Sequence, residues 1–98
     1  MILEVADIRI GPGQQAAFEA AVQRGIDEVI SQAHGFRTAR VQKGVESAER
    51  YLLMIEWETL EDHTVGFRQG PLFAQWRALV GPYFAQPPQV EHFSLAVG

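Results

Sequence analysis

Residues Tyr51-Leu52-Leu53-Met54-Ile55-Glu56-Trp57 lead, after one intervening residue, into Thr59-Leu60-Glu61-Asp62-His63. A strand with apolar side chains in both phases of its alternation therefore runs directly into a capped helix start. Neither face of such a strand can be left to water. In a chain of 98 residues, one face is covered by the chain's own helices and the other most economically by a second copy of the chain. A homodimer is expected on that ground. It also suits a single domain, residues 1–98, near the lower end of what one core stabilises.

Charge and composition remove several classes of function. Lys and Arg number 8 against 12 Asp and Glu, the net charge is −4, and the basic residues are scattered, so there is no basic stripe for a nucleic-acid backbone. The absence of cysteine excludes disulfides, thiolate nucleophiles, iron–sulfur clusters and thiolate zinc sites. Chemistry is left to His, Asp, Glu, Tyr and Trp. The opening Met1-Ile2-Leu3-Glu4-Val5 has no basic leader and no long apolar run, so neither an export signal nor a membrane span is expected and the cytoplasm is the default location.

Periodicity orders the elements. Ile2 to Ile10 alternates as a strand, with Ile2, Glu4, Ala6, Ile8 and Ile10 in one phase and Leu3, Val5, Asp7 and Arg9 in the other. Gly11-Pro12-Gly13 stops it. From about Pro12 to Ala33, Phe18, Ala21, Val22, Ile26, Val29 and Ile30 recur at helical spacing, and Gly35 suits the position after the helix end. Phe36 to Lys43 and Arg50 to Trp57 form an antiparallel hairpin across the polar turn Gly44 to Glu49. Thr59 with Asp62 resembles a capping box and opens a helix through about Gln69, and Pro71 starts a continuation carrying Leu72, Phe73, Trp76, Leu79 and Val80. Pro87-Pro88 ends it, and Gln89 to Val97 alternates as a last strand.

The order β-α-β-β-α-β is the ferredoxin-like plan of the α+β class: a four-stranded antiparallel sheet with the first and third strands central and both helices on one face. The other face would expose Leu52 and Met54, or Tyr51, Leu53 and Ile55, unless two sheets pack together.

Four stretches carry a family resemblance: Tyr51 to Trp57, the helix from Glu61-Asp62-His63 through Phe67, Pro71-Leu72-Phe73-Ala74-Gln75-Trp76, and the closing Pro88-Gln89-Val90-Glu91-His92-Phe93. In this order and spacing the chain resembles an antibiotic biosynthesis monooxygenase domain of the dimeric α+β barrel superfamily. The resemblance implies one of two activities. Some members oxidise polyphenolic or quinol-like substrates with O2 and no cofactor, the substrate carbanion supplying the electrons. Others bind and degrade haem, using an Asn near the end of the first strand, a Trp on the second helix and a later histidine as iron ligand. The matching positions here are Asp7, Phe67 and Trp76, none of which is retained, so haem is disfavoured and no cofactor is expected.

His63, in the first turn of the second helix, is the leading catalytic candidate, because a neutral imidazole with a pKa near ~6.5 can take a phenolic proton. The competing reading leaves it solvated or bonded within its own helix start. His92 on the last strand is placed to share a pocket with Asp7, whose carboxylate could orient the imidazole. Alternatively His92 is a satisfied histidine at the barrel interface, and Asp7 an ion-pair partner of Arg37, Arg40 or Arg50. The three histidines lack any short-range ligand pair, so no metal is expected. Among the aromatics, Tyr51 and Trp76 are the pocket candidates, with Phe67 beside them, although core packing explains Trp57, Phe73 and Phe67 as well. Arg37 or Arg40 could stabilise a phenolate, or simply guard a sheet edge.

The reading is a cofactor-independent monooxygenase acting on an aromatic, phenol-like or quinol-like molecule. The alternatives are a non-catalytic small-ligand-binding or stress-associated dimeric barrel, and an assembly module whose helix–sheet space is filled. A perturbed histidine at the wall of an aromatic pocket separates the enzyme from both.

Overall fold

Strand β1 (Ile2–Arg9) alternates as its sequence requires, with Glu4, Ala6 and Ile8 buried and their neighbours half-buried. The computed structural model, which describes Met1 to Gly98, pairs it antiparallel with β3 (Arg50–Trp57) on one side and β4 (Gln89–Phe93) on the other. Strand β2 (Phe36–Lys43) adds to the far side of β3, and the order β2-β3-β1-β4 is the ferredoxin-like topology. The bounds of β2 and β3 coincide with those the alternation predicts.

Helix α1 (Gln15–Glu28) has no side-chain cap and no acid in its first turn, so packing of its apolar stripe holds it: Phe18, Val22 and Gly25 are buried. It is shorter than the predicted span. Pro12 and Gly13 form a turn, Gly13 having φ +78°, and after Glu28 the chain tightens into a 3-10 turn, Ile30–Gln32. Gly35 follows at φ +83°, a region in which other residues are strained.

After β3, the Thr59 amide donates to Asp62 Oδ2 (3.3 Å) and the Asp62 amide donates to Thr59 Oγ1 (3.1 Å), a reciprocal capping box. The helix it opens is a π turn, Asp62–Phe67, rather than the regular helix expected. Helix α2 (Pro71–Val80) starts with Gly70 as N-cap and Pro71 in its first turn.

Side chains from one sheet face (Ile8, Tyr51, Leu53, Ile55, Trp57) and from the helices (Phe18, Val22, Trp76, Val80) form one core cluster. Each large apolar side chain buried there contributes about 1.5–3 kcal/mol. Strand β4 ends at Phe93, not Val97, because its partner runs out. With Leu3 opposite Phe93, only Ile2 and Met1 remain to pair beyond it, and Leu95 and Val97 are exposed.

Candidate active site

The feature that organises the site is a charged residue in the apolar phase of β1. Glu4 is 5% exposed among aliphatic neighbours, with Ile55 opposite it on β3 and His92 opposite it on β4. Its Oε1 accepts a hydrogen bond from Trp57 Nε1 (2.9 Å) and lies 3.3 Å from His63 Nε2. Both contacts fall on the same oxygen, so Oε2 is the one left for a molecule in the neighbouring cavity. On its other side the His63 ring places Nδ1 2.8 Å from His92 Nε2. Trp57, Glu4, His63 and His92 thus form a line of contacts through the His63 ring.

The π turn makes this arrangement possible. The Arg68 amide donates to the His63 carbonyl (2.9 Å), a wider loop than an α-helix closes, and both His63 and Phe67 point inward from it. His63 is stacked on Trp57 at 5.4 Å and on Phe67 at 6.2 Å between ring centroids.

Burial dominates the electrostatics. It raises the Glu4 carboxyl to about 7, against the lowering effects of the Trp57 hydrogen bond and the Arg68 charge. It also drives His63 down to about 4, assisted by His92 and Arg68. At neutral pH His63 is uncharged and Glu4 is poised between its two forms. Glu4 Oε1 and His63 Nε2 meet at 3.3 Å as a polar contact, whereas the hydrogen bond of the His63 ring is the one between Nδ1 and His92 Nε2, its direction set by the tautomers.

The cavity has a volume of about 770 Å³ between sheet and helices. Its buried part includes Glu4, Ala6, Ile8, Leu53, His63, Phe67 and Trp76, and its exposed edge carries Arg68, Arg77 and residues of the segment Pro82 to Pro87. That segment is stitched to the end of β1 by the Ala85 amide donating to the Arg9 carbonyl (2.8 Å) and by an Ile10–Phe84 bridge. Trp76 lies against helix α1 at Gly25, where a Cβ would come within 2.6 Å of the indole.

Several sequence candidates lie elsewhere. Asp7 does not share a pocket with His92. It sits in the opposite phase of β1, so its side chain is on the outer sheet face, bonded to Arg50 (2.8 and 3.2 Å), which holds its carboxyl below the usual range. Tyr51 is also outside the large cavity. It packs on Phe18 at 4.8 Å and donates to Glu19 Oε2 (2.7 Å), beside a smaller hollow of about 310 Å³, and burial with the Glu19 bond pushes its hydroxyl well above the ordinary value. Arg37 pairs with Glu58, and Arg40 borders that same small hollow. His63, Phe67 and Trp76 do line the large cavity, and His92 reaches it through His63.

Sequence reasoning passed over Glu4, although its place among Ile2, Ala6 and Ile8 was the available signal. Nothing local marked Arg68 and Arg77. The three acid–base groups do not converge on a point that could hold a metal, since Glu4 and His92 are on opposite sides of the His63 ring.

The sequence profile of the family described as "Antibiotic biosynthesis monooxygenase" matches residues 1–79. The chain belongs to the antibiotic biosynthesis monooxygenase family. The match spans Glu4, Trp57, His63 and Trp76, whereas the segment after Val80 and His92 lie beyond it. Among family structures, a Bordetella bronchiseptica protein described as a candidate antibiotic biosynthesis monooxygenase is 40% identical, with a TM-score of 0.92, covering 98% of this chain and 97% of that one. The uncharacterized protein YczJ of Bacillus subtilis is 40% identical over 93 residues, covering 95% of this chain and 97% of its own length. A Streptomyces coelicolor monooxygenase in complex with the ligand nanaomycin D shares the fold, with a TM-score of 0.82 and 20% identity, covering 99% of this chain and 88% of that one.

Proposed function

We propose that this protein is a homodimeric, cofactor-independent monooxygenase, acting in the cytoplasm on an aromatic phenol-like or quinol-like small molecule with O2. The observation that carries the reading is the buried Glu4 carboxyl, tuned to about 7, at the wall of an aromatic-lined cavity. His63 Nδ1 is hydrogen-bonded to His92, Nε2 lies against Glu4 Oε1, and burial makes the ring a poor proton acceptor, so Glu4 Oε2, rather than the imidazole, is the base that meets the substrate. His63 packs against Glu4 and is tied through Nδ1 to His92, which is half-buried on an edge strand, so Glu4 itself keeps the abstracted proton at Oε2.

Removal of a substrate proton by Glu4 leaves a carbanion conjugated to the ring. Its electrons reduce O2, a carbon–oxygen bond forms, and the peroxide takes back the proton held by Glu4. Loss of water then leaves a carbonyl, so a CH2 group and one O2 become C=O and H2O. Phe67, Phe73 and Trp76 on the wall give the carbanion apolar neighbours that offer no proton. The ligand-bound Streptomyces coelicolor relative supports a small organic molecule as occupant.

The homodimer rests on the outer sheet face. Leu3, Val5, Leu52 and Met54 form an apolar strip on the two central strands with Phe93 beside Leu3, and Glu91 on β4, Arg40 on β2, the Asp7–Arg50 pair and the Thr38–Glu56 hydrogen bond surround it. An apolar centre with a polar rim is the composition of a protein interface.

The test is oxygen uptake by purified protein against a panel of anthrone-like and naphthoquinol-like compounds. Uptake above the spontaneous background should fall by at least about a hundredfold in Glu4→Gln. His63→Ala should lower it with the fold intact. Undiminished uptake in Glu4→Gln would remove it as the base, and no uptake from any compound would assign the cavity to ligand binding without turnover.

A further inference from the structure

The chain has eight Lys and Arg residues against twelve acids. Five of the eight are held in ion pairs: Arg9 and Arg50 with Asp7, Arg24 with Glu28, Arg37 with Glu58, and Lys43 with Glu19. Of the remaining three, Arg40 borders the small hollow at Tyr51, while Arg68 and Arg77 both line the large cavity. In a protein with surplus acid, solvated cations readily find carboxylates. Two without one, at the same opening, mark a place where negative charge is supplied from outside.

Their arrangement is specific. The Arg68 and Arg77 guanidinium carbons lie 5.2 and 5.9 Å from the centroid of the same ring, Phe73, so both charges flank one aromatic side chain of the rim, and neither has an ion-pair partner. A guanidinium presents a planar fork of donors that matches a carboxylate, and two forks can share one. From that rim, Phe73, Phe67 and Trp76 offer flat apolar walls leading inward to Glu4 and His63.

We propose that the cavity binds an aromatic carboxylate, its anionic group held at the rim by Arg68 and Arg77 and its ring system lying along Phe73 and Trp76 toward Glu4 and His63. This names the substrate class of the oxygenase and rests on that reading for what happens at Glu4. The inner groups also respond to the rim. The Arg68 charge lowers both Glu4 and His63, so a carboxylate docked on Arg68 offsets it and raises the affinity of Glu4 for a proton. Trp57, His63 and His92 complete the set of groups facing Glu4 from the strands and the π turn, and none of them carries a compensating negative charge.

Isothermal titration calorimetry with 2-naphthoate and its neutral isostere 2-naphthamide tests the inference on the full chain. The acid should bind about tenfold more tightly than the amide, a modest margin because both arginines are exposed to solvent. In the double variant Arg68→Gln/Arg77→Gln the acid should lose that margin while the amide keeps its affinity. Equal binding of acid and amide by the unaltered protein, binding of neither, a margin that survives the double variant, or a parallel loss for both compounds would each overturn it. Because neither compound needs to be oxidised, a protein that consumes no O2 can still show the preference. Absence of the preference likewise leaves the oxygen-uptake test standing.

Discussion

Glu4 and His63 respond to burial with opposite signs, and the opposition is measurable. The Glu4 value rises from 4.5 to about 7, so the folded chain holds that proton more tightly than the unfolded one. Its contribution to stability is therefore complete below 4.5 and fades as pH climbs toward about 7. The His63 value falls from 6.5 to about 4, so the unfolded chain holds that proton more tightly, and stability grows with pH across that interval. Between pH 4.5 and 6.5 the two slopes oppose each other. Glu4→Gln should leave the His63 slope, with unfolding free energy rising with pH by on the order of 1 kcal/mol per unit, and His63→Gln should leave the falling slope. Urea denaturation of both variants across the window checks this, and parallel profiles would refute it. Glu4 was legible in the alternation of β1 as a lone acid in an apolar phase. Its partners were not, because Trp57 is 53 residues away and nothing local connects them.

At the scale of elements, the approach of α1 to α2 shapes the cavity. Gly25 lets the Trp76 indole lie against the backbone of α1, and a methyl group there would meet Cζ3 at 2.6 Å and Cε3 at 2.7 Å. Gly25→Ala sets two effects against each other: about 1 kcal/mol of helix propensity gained, and about 1–3 kcal/mol lost by overpacking. The indole is buried and has no flexible end to swing aside, so overpacking wins. The variant should be less stable by on the order of 1 kcal/mol, with altered Trp fluorescence. A stabilised variant with an unchanged spectrum would contradict the packing. The capping box at Thr59 and Asp62 was readable because its partners are three residues apart. The π turn after it was not, since its wide closure serves the inward placement of His63 and Phe67 rather than any local preference.

The whole molecule measures 35 × 33 × 20 Å, and a thickness of 20 Å is that of one helix layer on one sheet. No third layer covers the outer face, where Leu52 and Met54 of the central strand β3 are half-buried. Leu52→Asp or Met54→Asp should convert a dimer to monomer in sedimentation equilibrium and lower stability, because the charge would be stranded in an apolar interface. A stable dimer carrying either change would refute the sheet-to-sheet packing. No helix is long and apolar enough to cross a membrane.

Alternation, caps and turn formers act within a few residues, so the chain by itself determined the order of its elements, the bounds of β2 and β3 and the central place of β1 and β3. It also determined that His63 stands at a helix start. Only the tertiary structure decided that Asp7 faces away from His92, that Tyr51 turns to Glu19, and that Glu4, His63 and His92 form one line. Those contacts join elements remote in sequence. Register and burial set them together, and a local pattern carries neither.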